Sequence, residues 1–422
     1  MNYPDSVQFL YALGNELKTA KFGLERIRVL LEALGNPQQR CRFVHVAGTN
    51  GKGSTCAMIE SGLRAAGLRT GLFISPHLGE PTERISIDGR PVAVPVFTEA
   101  FNRVHRVAEE LLDRNAIDLH PTYFETVTAM AFLIFAEAHT GMVALEVGLG
   151  GRLDATNTVQ PALCVITAVD FDHEAFLGRS LEAIAGEKAG ILKAGVPAVF
   201  SRQRAEVAPV LERRAAELRI AVAHTSDWAV SELELDARGS RFHLGPRLRI
   251  RCPLAGEHQV ENTITAALAL AQLGVPDSAI EEGIARAHWP GRLEKVSDAP
   301  EIILDGAHNP AGARALATYI DRFYAGRRVR LIYGAMRDKA VEEVCGILFP
   351  RARQVIATAP LQPRALHPDA IVHISDHPDI RTAASLHEAL ALVRDARPED
   401  AVFITGSLYL VGEARALLGA KP

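Results

Sequence analysis

Short apolar runs alternate along the chain with stretches in which apolar residues recur at helical spacing. The clearest unit begins with an apolar run at 43–47, continues through a glycine-rich turn at 48–54 and leads directly into a helical pattern. Further apolar runs at 70–74, 142–147 and 163–169 have the length and composition of buried parallel strands. Because helical stretches separate these runs, the pattern predicts an α/β fold with a parallel sheet.

Other patterns add elements around this sheet. Residues 6–35 predict helices, and Phe124 to Ala138 is apolar almost all round, which predicts a helix buried beside the sheet. Residues 83–90 alternate around an Asp-Gly turn and predict a hairpin. Period-two runs between Trp228 and Pro253 predict an antiparallel hairpin appended to the parallel sheet.

The helical pattern breaks at 289–294, and strands and helices alternate again beyond it. Predicted strands lie at 302–304, 329–333, 354–358 and 401–405, and predicted helices at 313–323, 341–348 and 383–393. This alternation predicts a second, smaller Rossmann-like domain. We place the boundary between a first domain, 1–297, and a second, 298–422. The second domain contains no G-x-G-x-x-G, so a dinucleotide is not indicated.

Length and composition are those of a two-domain globular protein. The chain has 422 residues, 48% of them hydrophobic and 23% charged. A net charge of −4 argues against nucleic acid as the main partner, and the longest apolar run is too short to span a membrane. The N-terminus shows no secretory signal, and five scattered cysteines without a C-x-x-C pair fit a reducing compartment. We therefore predict a cytoplasmic protein.

The turn at 48–54 is a candidate phosphate site. A strand that feeds through glycines into a helix N-terminus directs several backbone N–H groups at one point, which the helix dipole makes favourable for anions. Lys52 supplies a positive charge, and Ser54 or Thr55 supplies a hydroxyl for a phosphate or its Mg²⁺. The strict G-x-x-x-x-G-K-[ST] pattern fails at Val46 and Gly53. A glycine turn with a surface lysine is the alternative.

Three polar residues follow predicted parallel strands and should meet at one edge of the sheet. These are Ser75, Glu146 and His173, whose oxygen and nitrogen atoms suit Mg²⁺ or Mn²⁺. A salt bridge is the alternative for Glu146, and an ordinary hydrogen-bonded loop residue is the alternative for His173. On composition alone, Glu187 and Lys188 in the helical pattern at 181–193 are ordinary surface charges.

Several motifs occur in a familiar order from the phosphate loop to the C-terminal domain. They are Gly48-Thr49-Asn50-Gly51-Lys52-Gly53-Ser54, Ser75-Pro76-His77-Leu78, Glu83-Arg84-Ile85, residues 146–157, Glu187-Lys188-Ala189-Gly190-Ile191, Asp305-Gly306-Ala307-His308-Asn309-Pro310 and Thr405-Gly406-Ser407-Leu408-Tyr409. With these motifs the chain resembles the folylpolyglutamate synthase/dihydrofolate synthase family of the Mur ligase superfamily. The deviant phosphate loop is the form that this family has.

The resemblance implies a P-loop NTPase-like Mur ligase central domain, which also carries a pterin site, and a Rossmann-like C-terminal domain. It implies ATP bound by Asn50, Gly51, Lys52, Gly53, Ser54, Asn262, Arg292, Asp305 and His308. It implies two Mg²⁺ sites, Mn²⁺ being the other candidate ion, with Ser75, Glu146, His173 and a carbamylated Lys188 as ligands. The implied catalytic residues are Lys52, Lys188, His173 and Arg292.

The resemblance also implies where the acceptor substrate lies. The pterin-bearing substrate should contact Leu24, Glu25, Arg26, Ile27, Thr122, Tyr123, Phe124, Glu125, Leu153, Asp154 and Ala155, with Asp154 as a hydrogen-bond acceptor for the pterin ring. The implied reaction is ATP-dependent addition of L-glutamate, through an acyl phosphate, to dihydropteroate and to the γ-carboxylate of reduced folates. The alternative is a folylpolyglutamate synthase without dihydrofolate synthase activity.

Two other functions fit the sequence less well. A peptidoglycan Mur ligase would carry a UDP-binding domain before the phosphate loop, and here the loop begins too early for one. A nucleotide-gated binding protein would not require the full set of metal positions together with Lys188. We therefore predict small-molecule substrates, no nucleic-acid or membrane partner, and a monomer.

Overall fold

The structure is a computed structural model that describes residues 1–14, 23–337 and 339–420. An eight-stranded sheet with the order β4-β3-β2-β5-β1-β6-β7-β8 forms the centre of the N-terminal part. Its strands are β1 (Phe43–Ala47), β2 (Thr70–Phe73), β3 (Ile85–Ile87), β4 (Arg90–Pro91), β5 (Met142–Glu146), β6 (Leu163–Ile166), β7 (Ala198–Phe200) and β8 (Val222–His224). All pairs are parallel except those of β3, so the predicted parallel sheet and the hairpin at 83–90 are confirmed.

Helices cover both faces of this sheet. They are α1 (Tyr3–Ala12), α2 (Glu25–Ala33), α3 (Lys52–Ala65), α4 (Val94–Asp113), α5 (Tyr123–Glu137), α6 (Glu174–Leu177), α7 (Leu181–Ala189), α8 (Ala208–Leu218), α9 (His258–Gln272) and α10 (Asp277–Ala285). Within β1, Phe43 faces the core with α5, whereas Val44 and Val46 face the core with α3 and α9. The buried helix predicted at 124–138 is confirmed as α5. The middle of the helical stretch predicted at 6–35 lies outside the described residues.

The antiparallel strands predicted between residues 228 and 253 are present, but they do not extend the parallel sheet. They form a separate three-stranded sheet of β9 (Val230–Asp236), β10 (Gly239–Leu244) and β11 (Leu248–Cys252). Phe242, Leu244 and Ile250 are buried in the same core as α3 and α10. The predicted attachment was wrong because the alternating apolar face of these strands packs on helices instead of pairing with a sheet edge.

The C-terminal part contains a six-stranded sheet with the order β12-β13-β17-β14-β15-β16. Its elements are β12 (Glu294–Asp298), β13 (Glu301–Asp305), β14 (Val329–Tyr333), β15 (Gln354–Ala357), β16 (Ile380–Thr382), β17 (Ala401–Thr405), α11 (Pro310–Phe323), α12 (Val341–Leu348), α13 (Pro368–His373), α14 (Leu386–Leu392) and α15 (Leu408–Leu417). Every pair except β12–β13 is parallel. The domain boundary predicted at 297 falls inside β12, which pairs with β13 in this sheet.

The two parts contact each other beside the carboxyl ends of their strands. Leu78, which follows β2, packs against the core beneath α15, and its carbonyl lies where a side chain on Gly412 would begin. Asn50, which follows β1, exchanges hydrogen bonds of 3.1 and 3.3 Å with Asn309 at the start of α11. Loops that follow strands of both sheets therefore border a common cleft. None of the described helices is long and apolar enough to cross a membrane.

Candidate active site

The loop between β1 and α3 is held in a fixed conformation by the neighbouring strand end. The backbone N–H of Thr49 donates to the carbonyl of Ala168 at 2.8 Å, and the hydroxyl of Thr167 donates to the carbonyl of Asn50 at 2.8 Å. Gly51 precedes α3 with φ of +86°, a conformation that favours glycine. Within the described structure no side chain caps this helix, so its first N–H groups face the cleft and suit an anion.

A cavity of about 360 Å³ lies over this loop and is lined by every residue predicted to bind ATP. The Lys52 ammonium donates to the carbonyl of Thr49 at 3.1 Å. Ser54 is buried, and its hydroxyl accepts a hydrogen bond of 3.2 Å from the Gln259 amide. Gln259 also accepts from the amide of Asn262 at 2.9 Å, so α9 supports the loop from behind.

Glu146 ends β5 and is buried at the floor of this cavity. Its carboxylate accepts a hydrogen bond of 3.1 Å from the backbone N–H of Ser75, and it forms no ion pair with the described residues. Burial raises the pKa of Glu146, while the charges of Lys52 and Arg292 and the Ser75 hydrogen bond act against this rise. A buried carboxylate without an ion-pair partner is an arrangement that a bound cation would stabilise.

His173 lines the same cavity, beyond the end of β6. Burial, and to a lesser extent the charge of Lys339, lowers its pKa to about 4, so the ring is neutral at pH 7. Its Nε2 lies 3.2 Å from the Lys339 ammonium, which also donates to Asp172 at 2.7 Å. The structure therefore brings His173 to the predicted sheet edge, but its imidazole contacts a lysine of the C-terminal part.

Lys188 is buried in α7, so the composition-based interpretation as a surface charge was wrong for it. Its ammonium donates to the carbonyl of Gly48 at 2.8 Å, directly behind the phosphate loop. Burial, and then the charge of Lys52, lowers the pKa of Lys188 to about 7. Its neighbour Glu187 instead forms an ion pair with Arg152 at 2.8 Å.

The C-terminal part contributes three of the predicted residues to the cavity. Asp305 ends β13 and accepts hydrogen bonds of 3.0 Å from the backbone N–H groups of Leu293 and Ala307. Arg292 lies half-buried beside it, and burial lowers the pKa of the guanidinium while Asp305 opposes that shift. The Nδ1 of His308 lies 2.8 Å from the carbonyl of Gly306, which fixes the ring.

A second cavity, of about 190 Å³, lies beside the loop at 149–155. Of the residues predicted to bind the pterin, it is lined by Arg26, Thr122, Glu125, Leu153, Asp154 and Ala155. The carboxylate of Glu125 joins two walls, since it accepts from the Arg26 guanidinium at 2.8 Å and from the Thr122 backbone N–H at 2.8 Å. Asp154 already accepts from the backbone N–H groups of Leu149 and Thr156, at 2.8 and 3.0 Å.

The remaining predicted pterin residues lie elsewhere. Leu24 and Ile27 are buried in the core with α5, and Glu25 is exposed. Tyr123 and Phe124 line a third cavity, of about 240 Å³, that opens between the two parts of the chain. A contiguous motif on a helix cannot face one site, because successive side chains point in different directions.

Four further residues of the main cavity or its support were not singled out from the sequence. Asn309 donates to both Asn50 and Asp172, each at 3.1 Å, and Lys339 and Gln259 make the contacts described above. Asn309 lies inside the motif at 305–310 and Asp172 directly precedes the predicted ligand His173, so the sequence could have indicated both. Lys339 follows no recognisable pattern, because it reaches His173 from a loop 166 residues away in the chain.

Matches to known families agree with this geometry. Residues 46–270 match the family described as Mur ligase middle domain, and residues 291–408 match the family described as Mur ligase, glutamate ligase domain. The two matched segments correspond to the eight-stranded and the six-stranded sheet, and the main cavity lies where they meet.

Similar curated proteins and solved structures identify the family more precisely. The dihydrofolate synthase/folylpolyglutamate synthase of Bacillus subtilis (strain 168) is 36% identical over 414 residues, which are 94% of this chain and 95% of the relative. A solved structure of Mycobacterium tuberculosis folylpolyglutamate synthase complexed with ADP and AMPPCP has 34% identity and a TM-score of 0.92, with 100% of both chains covered. An Escherichia coli structure in complex with DHPP and ADP has 31% identity and a TM-score of 0.87, with 100% of this chain and 98% of that chain covered.

The fold and the site thus define an ATP-dependent ligase of the Mur type, as predicted. Within that class, the chain belongs to the dihydrofolate synthase/folylpolyglutamate synthase family. The predicted family and the predicted α/β fold class are both confirmed.

Proposed function

We propose that the protein adds L-glutamate to dihydropteroate, forming dihydrofolate, and to the γ-carboxylate of reduced folates, with ATP as the energy source. One observation carries this proposal. A single cavity joins the phosphate loop, the carboxylate of Glu146 and the C-terminal residues Arg292 and Asp305. ADP and an ATP analogue are the ligands of the Mycobacterium tuberculosis structure, and DHPP and ADP are those of the Escherichia coli structure.

The chemistry proceeds in two steps. A substrate carboxylate attacks the γ-phosphorus of ATP, the bond to the bridging oxygen breaks, and an acyl phosphate and ADP form. The uncharged amine of glutamate then attacks the acyl carbon, phosphate leaves, and the amine releases a proton as the amide forms. Lys52, Arg292 and the N–H groups at the start of α3 neutralise charge on the phosphates. Closure of the two parts excludes water that would hydrolyse the acyl phosphate.

The residues at the floor of the cavity fit divalent metal ions. Glu146 is a buried carboxylate without an ion pair in the described structure, and Ser75 and neutral His173 line the same space. Mg²⁺, or Mn²⁺, held by these three residues would shield the negative charge of the phosphates. Lys339 must move away from the imidazole of His173 before that ring can become a ligand.

Lys188 supplies the second metal site when it is carbamylated. In that reaction the lone pair of the neutral amine attacks the carbon of CO₂, an N–C bond forms, one C=O π bond breaks and a proton leaves to solvent. A buried amine with a pKa of about 7 is partly neutral at physiological pH, which this reaction requires. The product places a negative group behind the phosphate loop, next to the carbonyl that Lys188 contacts.

The acceptor substrate occupies the cavity lined by Arg26, Glu125 and Asp154. Leu149 and Gly150 line both this cavity and the main one, so an elongated acid bound here can extend its carboxylate towards the phosphate loop. The third cavity, with Arg84 and Arg364 in its walls, joins the cleft from the other side and has cations suited to the carboxylates of glutamate or of a folate tail. The cytoplasmic location and the monomeric state stay predictions.

The test is phosphate release from Mg-ATP in the presence of L-glutamate, with 7,8-dihydropteroate or tetrahydrofolate as acceptor. Turnover with both acceptors is expected. Turnover with tetrahydrofolate alone would mean that the protein only adds glutamate to existing folates and has no dihydrofolate synthase activity. Turnover with neither acceptor, or phosphate release that is independent of glutamate, would overturn the ligase proposal. An Arg26→Ala variant should raise the KM for both acceptors, whereas Arg28→Ala, an exposed arginine of the same helix, should not.

A further inference from the structure

Two histidines and one carboxylate meet on the far side of α4, outside the three cavities described above. His105 and Glu109 lie one turn apart on this helix, and His120 lies in the connection that leads to α5. The Nδ1 of His105 is 3.7 Å from Glu109 Oε1, and the Nε2 of His120 is 3.5 Å from the same oxygen. One potential ligand atom from each residue lies within 4.8 Å of the other two. It is the one such cluster of three or more His, Cys, Asp or Glu in the described part of the chain.

The two imidazole nitrogens that face Glu109 make no hydrogen bond with the described residues. His105 Nδ1 and His120 Nε2 are both shielded from solvent, and neither has a hydrogen-bond partner among the described residues. A buried, unpaired polar atom is costly, so it needs a physical explanation. A cation between them and Glu109 would provide one.

The geometry of His120 leaves its Nε2 facing Glu109. Its other nitrogen, Nδ1, lies 3.0 Å from the carbonyl of Pro121. A carbonyl only accepts hydrogen bonds, so Nδ1 is the donor there and Nε2 is the nitrogen available to a metal. Metal-binding histidines characteristically donate their second nitrogen to a carbonyl or carboxylate in this way.

Aromatic packing fixes both imidazoles. Phe9 of α1 packs edge-on against His105 and His120, with ring centroids 4.6 and 5.4 Å away, and Phe101 stacks on His105 at 5.5 Å. The carboxylate of Glu109 is half exposed and leaves an approach from solvent. The rings are therefore held in place while the charged ligand can adjust.

We propose that His105, Glu109 and His120 bind a divalent transition metal ion of the zinc class. Zinc takes imidazole nitrogens at about 2.0–2.1 Å and carboxylate oxygens at similar distances, which places tetrahedral ligand atoms about 3.3 Å apart. The separations of 3.5 and 3.7 Å from Glu109 need only a small contraction, and the two histidine nitrogens, within 4.8 Å of each other, would move together as the ion binds. Water would complete the coordination on the exposed side. Hard ions such as Mg²⁺ prefer oxygen ligands, so two imidazoles among three ligands disfavour Mg²⁺ more than the single imidazole of the catalytic cleft does.

The position of the site gives it a consequence for the enzyme. His120 is two residues before Thr122, whose side chain caps α5 and which lines the acceptor cavity with Glu125. A metal bound at His120 ties the connection between α4 and α5 to α4 itself. Bound metal should therefore restrict the movement of the wall that Thr122 and Glu125 contribute to the acceptor cavity.

The experiment uses the full chain, freed of metal and dialysed against Zn²⁺ in excess Mg²⁺ and ADP, so that the catalytic cleft is occupied. Bound zinc is counted for the wild type, His105→Ala, His120→Ala and Glu109→Gln. His224→Ala is the matched control. His224 also lies 3.5 Å from a glutamate, Glu212, but it does not belong to a cluster of three potential ligands among the described residues. Glu109→Gln alters a half-exposed side chain, so it keeps the test valid if a histidine variant fails to fold.

The expected result is one zinc more in the wild type and in His224→Ala than in the two histidine variants. Zinc should bind Glu109→Gln at least about tenfold more weakly, since the loss of even an indirect partner costs that much. With Co²⁺, the wild type should show the visible absorption of a four-coordinate ion, which His120→Ala should lack. Equal zinc content in all five proteins, or no zinc in the wild type beyond the catalytic cleft, would overturn the proposal.

Discussion

At the scale of single residues, the cleft is distinguished by charges that burial opposes. Burial raises the pKa values of Glu146 and Asp305 and lowers those of Lys188 and Arg292. At each of these positions, burial of an uncharged residue of similar size would cost less free energy than burial of the charged group. Their concentration around one phosphate loop is therefore better explained by the binding of charged ligands than by stability.

Lys188 provides the sharpest prediction at this scale. Replacement of Lys188 by arginine keeps a positive charge but removes the amine that reacts with CO₂. We expect Lys188→Arg to lose activity by about 100-fold or more, the effect typical of a lost preorganised electrostatic group. In ¹³C NMR with labelled bicarbonate, the wild type should show a protected carbamate signal that this variant lacks.

Lys193→Arg is the matched control, because Lys193 lies just beyond the same helix and is only partly buried. It should keep both the activity and the carbamate signal. A wild type without a carbamate signal, or a signal retained in Lys188→Arg, would show that Lys188 acts only as a buried cation.

At the scale of elements, the local units could be predicted and their docking could not. The β1–turn–α3 unit follows from an apolar run, glycines and a helical period that are contiguous in the chain. The prediction attached the β9–β11 strands to the wrong partner, because the packing of their apolar face on α10 is a tertiary contact that leaves no local pattern in the sequence. For the same reason Leu24 and Ile27 were expected in a site, although their helix directs them into the core.

Docking of the phosphate-loop helix also gives a prediction. Gly283 of α10 lies against α3, where a β-carbon would approach the Cα of Gly62 to 2.3 Å. Because that neighbour is backbone, Gly283→Ala should force the helices apart and destabilise the fold by about 1–3 kcal/mol. Urea titration followed by circular dichroism measures this change.

The matched substitution is Gly346→Ala in α12, where a β-carbon meets nothing within 4 Å. Alanine has the better helix propensity, so this variant should gain about 0.5–1 kcal/mol. If Gly283→Ala and Gly346→Ala changed the free energy of unfolding equally, the packing of α3 against α10 would not depend on the lack of a side chain at Gly283.

At the scale of the whole molecule, the two sheets are joined by polar contacts around the cleft. Asn309 bonds to Asn50 and Asp172, and Lys339 bonds to Asp172. Burial alone would raise the pKa of Asp172, but His308, whose Nε2 lies 3.7 Å away, and the charge of Lys339 hold it below its usual range. Asn50, Asp172 and Asn309 line the main cavity, so a nucleotide and metal bound as proposed above would have to replace these contacts.

The pH dependence of stability is also a property of the whole chain, because burial keeps four histidines neutral in different places. It lowers the pKa of His45 and of His77 to about 3 and those of His173 and His258 to about 4. The unfolded chain binds a proton at each of them below about pH 6.5, whereas the folded chain does not. The neutral histidines therefore make their full contribution to the free energy of unfolding above about pH 6.5. This contribution is lost as the pH falls towards the pKa values that the histidines have in the folded chain. Between pH 7.5 and 5.5 the loss should be about 1.4 kcal/mol for each histidine.

Urea titrations at pH 7.5, 6.5 and 5.5 should accordingly show the free energy of unfolding falling by about 5.5 kcal/mol, the contribution of four such histidines. His45→Gln removes one of the four titrating groups, so the fall between pH 7.5 and 5.5 should shrink by about a quarter, whatever the variant's stability at neutral pH. His387→Gln, at an exposed position, should leave the fall unchanged. A wild type as stable at pH 5.5 as at pH 7.5 would mean that these rings are protonated in the folded state. The hydrogen bond between His45 and Thr156 would then join an imidazolium to a hydroxyl in the core.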